Sequence, residues 1–227
     1  MQKSIYSLVL SDRVVAEIDR LAYESGTSRS NIVNQILAEY VSYTTPEKRT
    51  RNIFASLEAL LGSNAAMQVM MAPTDSMLAL RSAISYKYNP SVKYSIELNK
   101  APLSPNGGEI GEFRASVRSQ SSSLTLCLLQ FYKLWAGLET AYTGLSEYST
   151  DGTRYIRKLY VRKNPSRGAA EEVQLGEAAV GEAIAAYVNA FDEALKAYFA
   201  LLQSPASAYA AIERIYSQYI GKNQIIV

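Results

Sequence analysis

The first 40 or so residues place one alternating segment in front of two amphipathic helical segments, and no other feature limits the fold so strongly. In residues 4–10, Tyr6, Leu8 and Leu10 fall on one face and the intervening side chains on the other. Alternation of this kind predicts a β-strand. A single strand leaves both of its edges unpaired, so the chain must supply or recruit a partner strand.

Two helices are predicted directly after this strand. Ser11-Asp12 provides an N-cap for the first helix and Ser25-Gly26 ends it, whereas Thr27-Ser28 caps the second. The apolar residues that recur at helical spacing are Val14, Val15, Ile18, Leu21 and Ala22 in the first helix, and Ile32, Val33, Ile36, Leu37, Tyr40 and Val41 in the second.

A unit of this size buries little apolar surface by itself. A two-fold dimer meets that need, because the strands of two chains pair antiparallel and four helices enclose a shared core. The pattern of residues 2–43 resembles the ribbon-helix-helix family of DNA-binding proteins, which includes the methionine and Arc repressors and CopG. The matching residues are 5–22 and 25–33, followed by Ile36, Leu37, Tyr40 and Val41.

The resemblance implies that the paired strands enter the major groove and read base edges with their outward side chains. The residues at the reading positions are Lys3, Ile5, Ser7 and Val9. Lys3 can donate to guanine and Ser7 can donate or accept, whereas Ile5 and Val9 can contact only thymine methyl groups. This departure from the polar set usual in the family favours an A·T-leaning site or recognition of DNA shape. The alternative is that Ile5 and Val9 pack against another protein surface.

The resemblance also implies phosphate anchoring at the start of the second helix, where unpaired backbone N–H groups and the helix dipole favour an anion. The residues there are Thr27, Ser28, Arg29 and Ser30. Arg29 adds a charge and the hydroxyls add hydrogen bonds, while capping is the simpler role for Ser28. Four basic and four acidic residues balance within residues 1–30. We therefore expect one dimer alone to bind DNA weakly.

Two basic segments beyond this module offer further contacts. Lys48, Arg49 and Arg51 open the next helix, where they either reach flanking phosphates or form a solvated helix start. Residues 151–167 carry six basic residues against one acidic residue, with two interleaved tyrosines. Such a segment can bind nucleic acid or an acidic partner. It can also form a charged sheet face or edge, and we favour this second interpretation.

The composition changes near residue 45, where Thr45-Pro46 precedes a new helical pattern. We place a domain boundary there, between the ribbon-helix-helix module in residues 1–45 and a larger α+β domain with antiparallel strands in residues 46–227. In the larger domain the patterns predict a hairpin in residues 84–98 around Asn89-Pro90-Ser91, strands at 110–118 and 154–162, a helix ending at Gly62, a helix at 124–142, and long C-terminal helices at 180–202 and from 205 onward.

The 227 residues contain no His and a single Cys, Cys127. This composition excludes His-based acid–base catalysis, Ser-His-Asp triads and zinc sites built from imidazole or clustered thiolates. Cys127 lies on an apolar helical stripe, so we expect an inert buried thiol. No Gly-rich phosphate loop is present either. We therefore predict no catalytic residues, metal or cofactor, and a protein that is not an enzyme.

Two further expectations follow from the composition. Seventeen Tyr against five Phe indicate an oligomerisation surface or a small-molecule pocket. The N-terminus lacks a basic-then-apolar leader and no apolar run approaches the roughly 18 residues of a membrane span. We therefore expect a cytoplasmic, nucleoid-associated protein with no membrane contact.

The function predicted from these patterns is sequence-specific binding of double-stranded DNA by a transcriptional regulator that dimerises through residues 2–43. Residues 46–227 then assemble dimers into higher oligomers or sense a ligand. The alternative is a plasmid partition or conjugation accessory protein, in which residues 46–227 bind another protein. An antitoxin is a weaker alternative, because its toxin-wrapping segment is short and flexible rather than a folded domain.

Overall fold

The computed structural model describes residues 5–41, 43–62, 67–74, 76–99, 108–144, 147–161 and 176–222. Within these residues the protein has six helices and one six-stranded antiparallel sheet. The predicted α+β class is confirmed at this level. The chain divides into two compact units, of which the first ends at Arg49 and the second begins at Thr50.

The first unit contains helix α1 (Asp12–Glu24) and helix α2 (Arg29–Tyr40). Gly26 joins them with φ of +59°, a left-handed conformation that glycine adopts without strain. Residues 5–10 belong to no strand in the single chain. Because a two-stranded ribbon needs a second copy of the segment, the ribbon-helix-helix assembly stays a prediction.

The second unit is built on one sheet. Helix α3 (Pro46–Gly62), which begins ahead of it, has proline at its first position, where the missing N–H leaves no hydrogen bond unmade. The strand order is β1-β2-β3-β4-β6-β5, and every neighbouring pair is antiparallel. The strands are β1 (Met67–Thr74), β2 (Met77–Ala83), β3 (Ser91–Leu98), β4 (Gly108–Val117), β5 (Tyr148–Thr150) and β6 (Arg154–Val161).

The predicted hairpin in residues 84–98 is wrong in its first strand. Its second strand is β3, but the strand that pairs with β3 before it is β2, which ends at Ala83. Residues 84–90 form the connecting loop, in which Tyr88 and Asn89 have positive φ values of 64° and 44°. The alternation of tyrosines there is therefore a feature of a loop, and β1, β2 and β5 lie outside the predicted strands.

Three long helices complete the second unit. They are α4 (Ser122–Thr143), α5 (Glu177–Ala200) and α6 (Pro205–Lys222), and all three agree with the predicted helices. Phe191 of α5 lies at the centre of an aromatic core, with ring centroids 5.1 Å from Phe113 of β4 and 5.3 Å from both Phe131 and Trp135 of α4. These contacts place α4 and α5 against one face of the sheet.

A buried polar network lies within this core. The Glu139 carboxylate accepts hydrogen bonds from Trp135 Nε1 at 3.0 Å, Tyr187 Oη at 2.7 Å and Tyr155 Oη at 2.5 Å, and it pairs with the Arg157 guanidinium. The guanidinium also lies 4.8 Å from the centroid of the Tyr187 ring. Only 4% of Arg157 and 4% of Glu139 is exposed. Arg157, one of the six basic residues predicted on a charged sheet face or edge, is therefore part of the core.

Candidate nucleic-acid interface

The predicted base-reading residues that the structure describes are all exposed to solvent. Ile5 is 100% and Val9 103% exposed, and Ser7 between them is exposed as well. Lys3, the fourth predicted reader, lies outside the described residues. The opposite side of the same segment is also open, with Tyr6 at 83% and Leu8 at 60%. In the single chain this segment therefore presents apolar side chains to water on both sides.

The helices of the first unit leave further apolar surface uncovered. Their shared core consists of Ile18, Ala22 and Ile32, against which Leu21 and Val33 pack in part. The side chains that remain exposed on these helices and at their ends are Val14, Tyr23, Ile36, Leu37, Tyr40 and Val41. Apolar side chains left exposed in this number indicate an interaction site.

The start of α2 is organised by its cap. Ser28 Oγ accepts a hydrogen bond from the backbone N–H of Asn31 at 3.3 Å, and Thr27 Oγ1 accepts one from Asn31 Nδ2 at 3.1 Å. The capping role expected for Ser28 is therefore present, and Ser30 beside it is exposed. Because the first N–H groups of a helix have no partner within the helix, this end of α2 retains donors for an anion.

Arg29 already has an anionic partner in the single chain. Its Nε and Nη2 atoms donate to the two carboxylate oxygens of Asp19 at 2.6 and 2.5 Å. The guanidinium lowers the pKa of Asp19, mainly through these hydrogen bonds, and the carboxylate raises the pKa of Arg29. Both side chains remain about half exposed, at 58% and 46%. A phosphate that binds Arg29 must therefore compete with Asp19.

Other basic residues near the N-terminus are engaged in similar pairs. Arg20 donates to Glu17 at 3.0 Å and to Glu24 at 2.7 Å along α1. Lys48, a predicted auxiliary contact, donates to Glu39 at 3.0 Å. The other two predicted auxiliary residues are a half-buried Arg49 and an exposed Arg51. Two of the four basic residues counted in residues 1–30, Arg20 and Arg29, are thus held in local ion pairs.

The second unit carries a row of basic residues that crosses the sheet. Arg81 of β2 pairs in register with Lys93 of β3, Lys93 with Ser116 of β4, and Ser116 with Arg154 of β6. Because side chains of directly opposed residues lie on the same face, these four stand side by side on the face away from the aromatic core. All three basic residues are exposed, and none forms an ion pair with a carboxylate of the described residues.

This row was not apparent from the basic run in residues 151–167. Lys158 of that run pairs with Glu109 at 2.8 Å, and Arg162, Lys163 and Arg167 lie outside the described residues. Arg81 and Lys93 stand far from Arg154 in the sequence, and only the strand register brings the three together. The alternation of apolar and polar residues in each strand predicts that these three side chains face outward. It does not predict which strands pair or in which register.

Comparison with known proteins does not extend this picture, since the chain matches no protein family, no curated protein and no solved structure. Among the described residues, no group of three or more Asp, Glu or Cys side chains is placed to hold a metal ion. The same residues include no helix with the length and apolarity needed to cross a membrane.

Proposed function

We propose that the protein binds double-stranded DNA in a sequence-specific manner and acts as a transcriptional regulator. It dimerises through residues 2–43, and residues 4–10 of two chains pair as a ribbon that enters the major groove. The resemblance of residues 2–43 to the ribbon-helix-helix family carries the choice of DNA as partner. The observation in the structure that favours a dimer is the open apolar surface of residues 5–10, α1 and α2.

The argument for a dimer rests on burial. A core of three buried residues cannot hold a strand and two helices in water, because the hydrophobic stabilisation scales with the apolar area removed from solvent. A second copy covers Tyr6, Leu8 and Leu10 of both strands at once and pairs the N–H and C=O groups of both segments. Ile5, Ser7 and Val9 then remain outside, on the face available to the groove.

Phosphate contacts position this ribbon. The start of α2 supplies backbone N–H groups and Arg29 for these contacts. The second unit has a row of its own, Arg81, Lys93 and Arg154, whose cations can bind phosphates separately. Contacts of this type add affinity that is independent of sequence and falls with salt concentration. Base recognition is left to the ribbon face, on which Lys3 and Ser7 are the polar members.

The experiment is a selection of binding sites from a random DNA pool with the full-length protein, followed by titration of the selected site and a scrambled site. Ser7→Ala should reduce discrimination between the two sites by about 1–3 kcal/mol, the contribution of a good base contact. Leu8→Glu should instead abolish dimerisation and binding together, since Leu8 faces the ribbon's core. Sedimentation velocity measures the dimerisation.

Ser122→Ala is the matched control for Ser7→Ala, because Ser122 is exposed at the start of α4 in the other unit. It should leave both affinity and discrimination unchanged. Failure of the pool to yield a preferred site would contradict sequence-specific recognition. Equal discrimination by wild type and Ser7→Ala would instead exclude Ser7 as a base-reading residue.

A further inference from the structure

A large groove opens on the second unit, at the end of the helical layer. It has a volume of about 750 Å³ and is bounded by α4, the C-terminal end of α5, the first turn of α6 and the loop between β2 and β3. α4 and α6 each contribute residues spaced three or four apart, which lie on one helical face. Tyr198 of α5 and Leu201, Leu202 and Gln203 of the turn that follows it complete the lining. This volume lies within the range of small-molecule sites, which is roughly 300–1,000 Å³.

The floor and walls of the groove are apolar and aromatic. Half-buried Leu134, Leu201 and Leu202 lie against the main core, and together with the buried Ala208 they line the groove. Tyr86 forms one wall, and its ring packs edge-on against Phe199 with centroids 5.5 Å apart. A flat apolar group bound there exchanges water for leucine and tyrosine surface, which is favourable.

The polar groups that line the groove are tyrosine hydroxyls, the amides of Gln130 and Gln203, and the cationic ammonium group of Lys133. Tyr198 Oη donates to Gln130 Oε1 at 3.0 Å, which leaves the amide N–H groups of Gln130 for another partner. Burial raises the pKa of Tyr198, which moves the ionisation of its hydroxyl further above neutral pH. Lys133 is exposed at the rim and forms no ion pair with any residue that the structure describes.

Among the described residues that line the groove there is no Asp or Glu, and Lys133 supplies a positive charge. An anionic group at this rim gains a charge-assisted hydrogen bond, whereas a cationic group meets an uncompensated like charge. Cys127, expected as an inert buried thiol, is half-buried and lines the same groove. Of the two uses expected for the abundant tyrosines, a small-molecule pocket fits Tyr86, Tyr198 and Tyr209 here.

We infer that this groove binds a small organic monoanion, a carboxylate with a flat apolar body, with the body against Leu134, Leu201 and Leu202 and the carboxylate at Lys133. The site belongs to the second unit alone and does not depend on what the N-terminal segment binds. For a regulator, it is the place at which a metabolite of this chemistry acts.

The test uses three probes with the same body and different charge: 2-naphthoate, 2-naphthamide and 2-naphthylmethylammonium. Each is titrated into the full-length protein and followed by ligand-observed NMR and calorimetry. Naphthoate should bind with a Kd of about 1 mM or lower, about fivefold tighter than naphthamide, and the ammonium probe should bind weakest. Lys133→Gln should remove the preference for naphthoate and leave naphthamide unaffected.

Lys222→Gln is the matched control, because Lys222 lies at the far end of α6, roughly 20 Å along the helix from Tyr209. It makes the same charge change and should leave all three affinities as in the wild type. Gln203→Trp places a bulky ring at an exposed position of the groove and should block all three probes with little change in Tm.

Three results would overturn the inference. One is the absence of binding by every probe. Another is equal affinity of the wild type for naphthoate and naphthamide. The third is a change in self-association, rather than in probe binding, when Lys133 or Gln203 is substituted, because the groove would then be an interface between copies of the chain.

Discussion

Releasing Arg29 from Asp19 provides the sharpest test of phosphate anchoring at α2. Asp19→Asn removes the carboxylate that holds the guanidinium through two short hydrogen bonds, while the shape of the side chain is kept. A phosphate then no longer competes for Arg29. We expect tighter binding to the selected site and to a scrambled site alike, because a phosphate contact carries no sequence information.

The size of the effect follows from the exposure of the pair. Both side chains are about half exposed, so solvent and salt screen their interaction strongly. Exposed ion pairs change an equilibrium constant by a factor of about 1.4 to 5. The proposed dimer contains two such pairs, and together they should give about a 2- to 25-fold gain in DNA affinity at low salt. Arg29→Ala should do the opposite and flatten the slope of log K against log salt by about 0.9 for each Arg29 lost.

The control is Glu17→Gln, which makes the same charge change on the same helix. Glu17 binds Arg20, which keeps its second partner Glu24, so no cation is released. The assay is fluorescence anisotropy of labelled DNA across a salt series. Equal gains for Asp19→Asn and Glu17→Gln would refute the role of Arg29, and so would a gain from Asp19→Asn that persists in full when residue 29 is Ala.

Two predictions concern the second unit and do not depend on DNA. Arg157→Met should lower the free energy of unfolding in urea by about 3–5 kcal/mol, because it leaves the Glu139 carboxylate buried without its cation. The added substitution Glu139→Leu should not restore it, because the hydroxyls of Tyr155 and Tyr187 then lose their acceptor. Alkaline pH should unfold this unit cooperatively, because burial raises the pKa values of Tyr94, Tyr155 and Tyr187 well above that of an unfolded tyrosine. The contribution of these tyrosines to stability is then constant below about pH 10, and it falls by about 1.4 kcal/mol per pH unit for each of them above that pH. Absorbance of tyrosinate measures the transition, and gradual ionisation without unfolding would contradict the prediction.

Helices and amphipathic strands of this protein were predictable from side-chain periodicity. The stripes of α4, α5 and α6 and the alternation in β3, β4 and β6 agree with the structure. In contrast, β1 and β2 are rich in Met, Ala and Leu, and such short apolar runs carry little periodicity. Tyr86 and Tyr88 alternate convincingly but occupy a loop, because Tyr88 and Asn89 take left-handed conformations that no local propensity requires.

The candidate sites also divide into features that local sequence predicts and features that it does not. The capping function of Ser28 follows from local sequence, and the structure has it. The Arg29–Asp19 pair joins two helices across a turn, so it depends on how α1 and α2 pack rather than on either helix alone. The basic row depends on strand register, and the groove depends on the packing of distant helices. Neither can be predicted from the pattern of a single sequence.

The position of Trp135 makes the two units separable by spectroscopy. It is the single Trp of the chain and lies fully buried in the second unit, with its indole N–H donating to Glu139. Its emission therefore reports on the melting of the second unit, and the N-terminal segment contributes no indole signal. Excitation at the red edge of protein absorbance gives an intrinsic optical probe for one unit, while a fluorophore on the DNA follows the other.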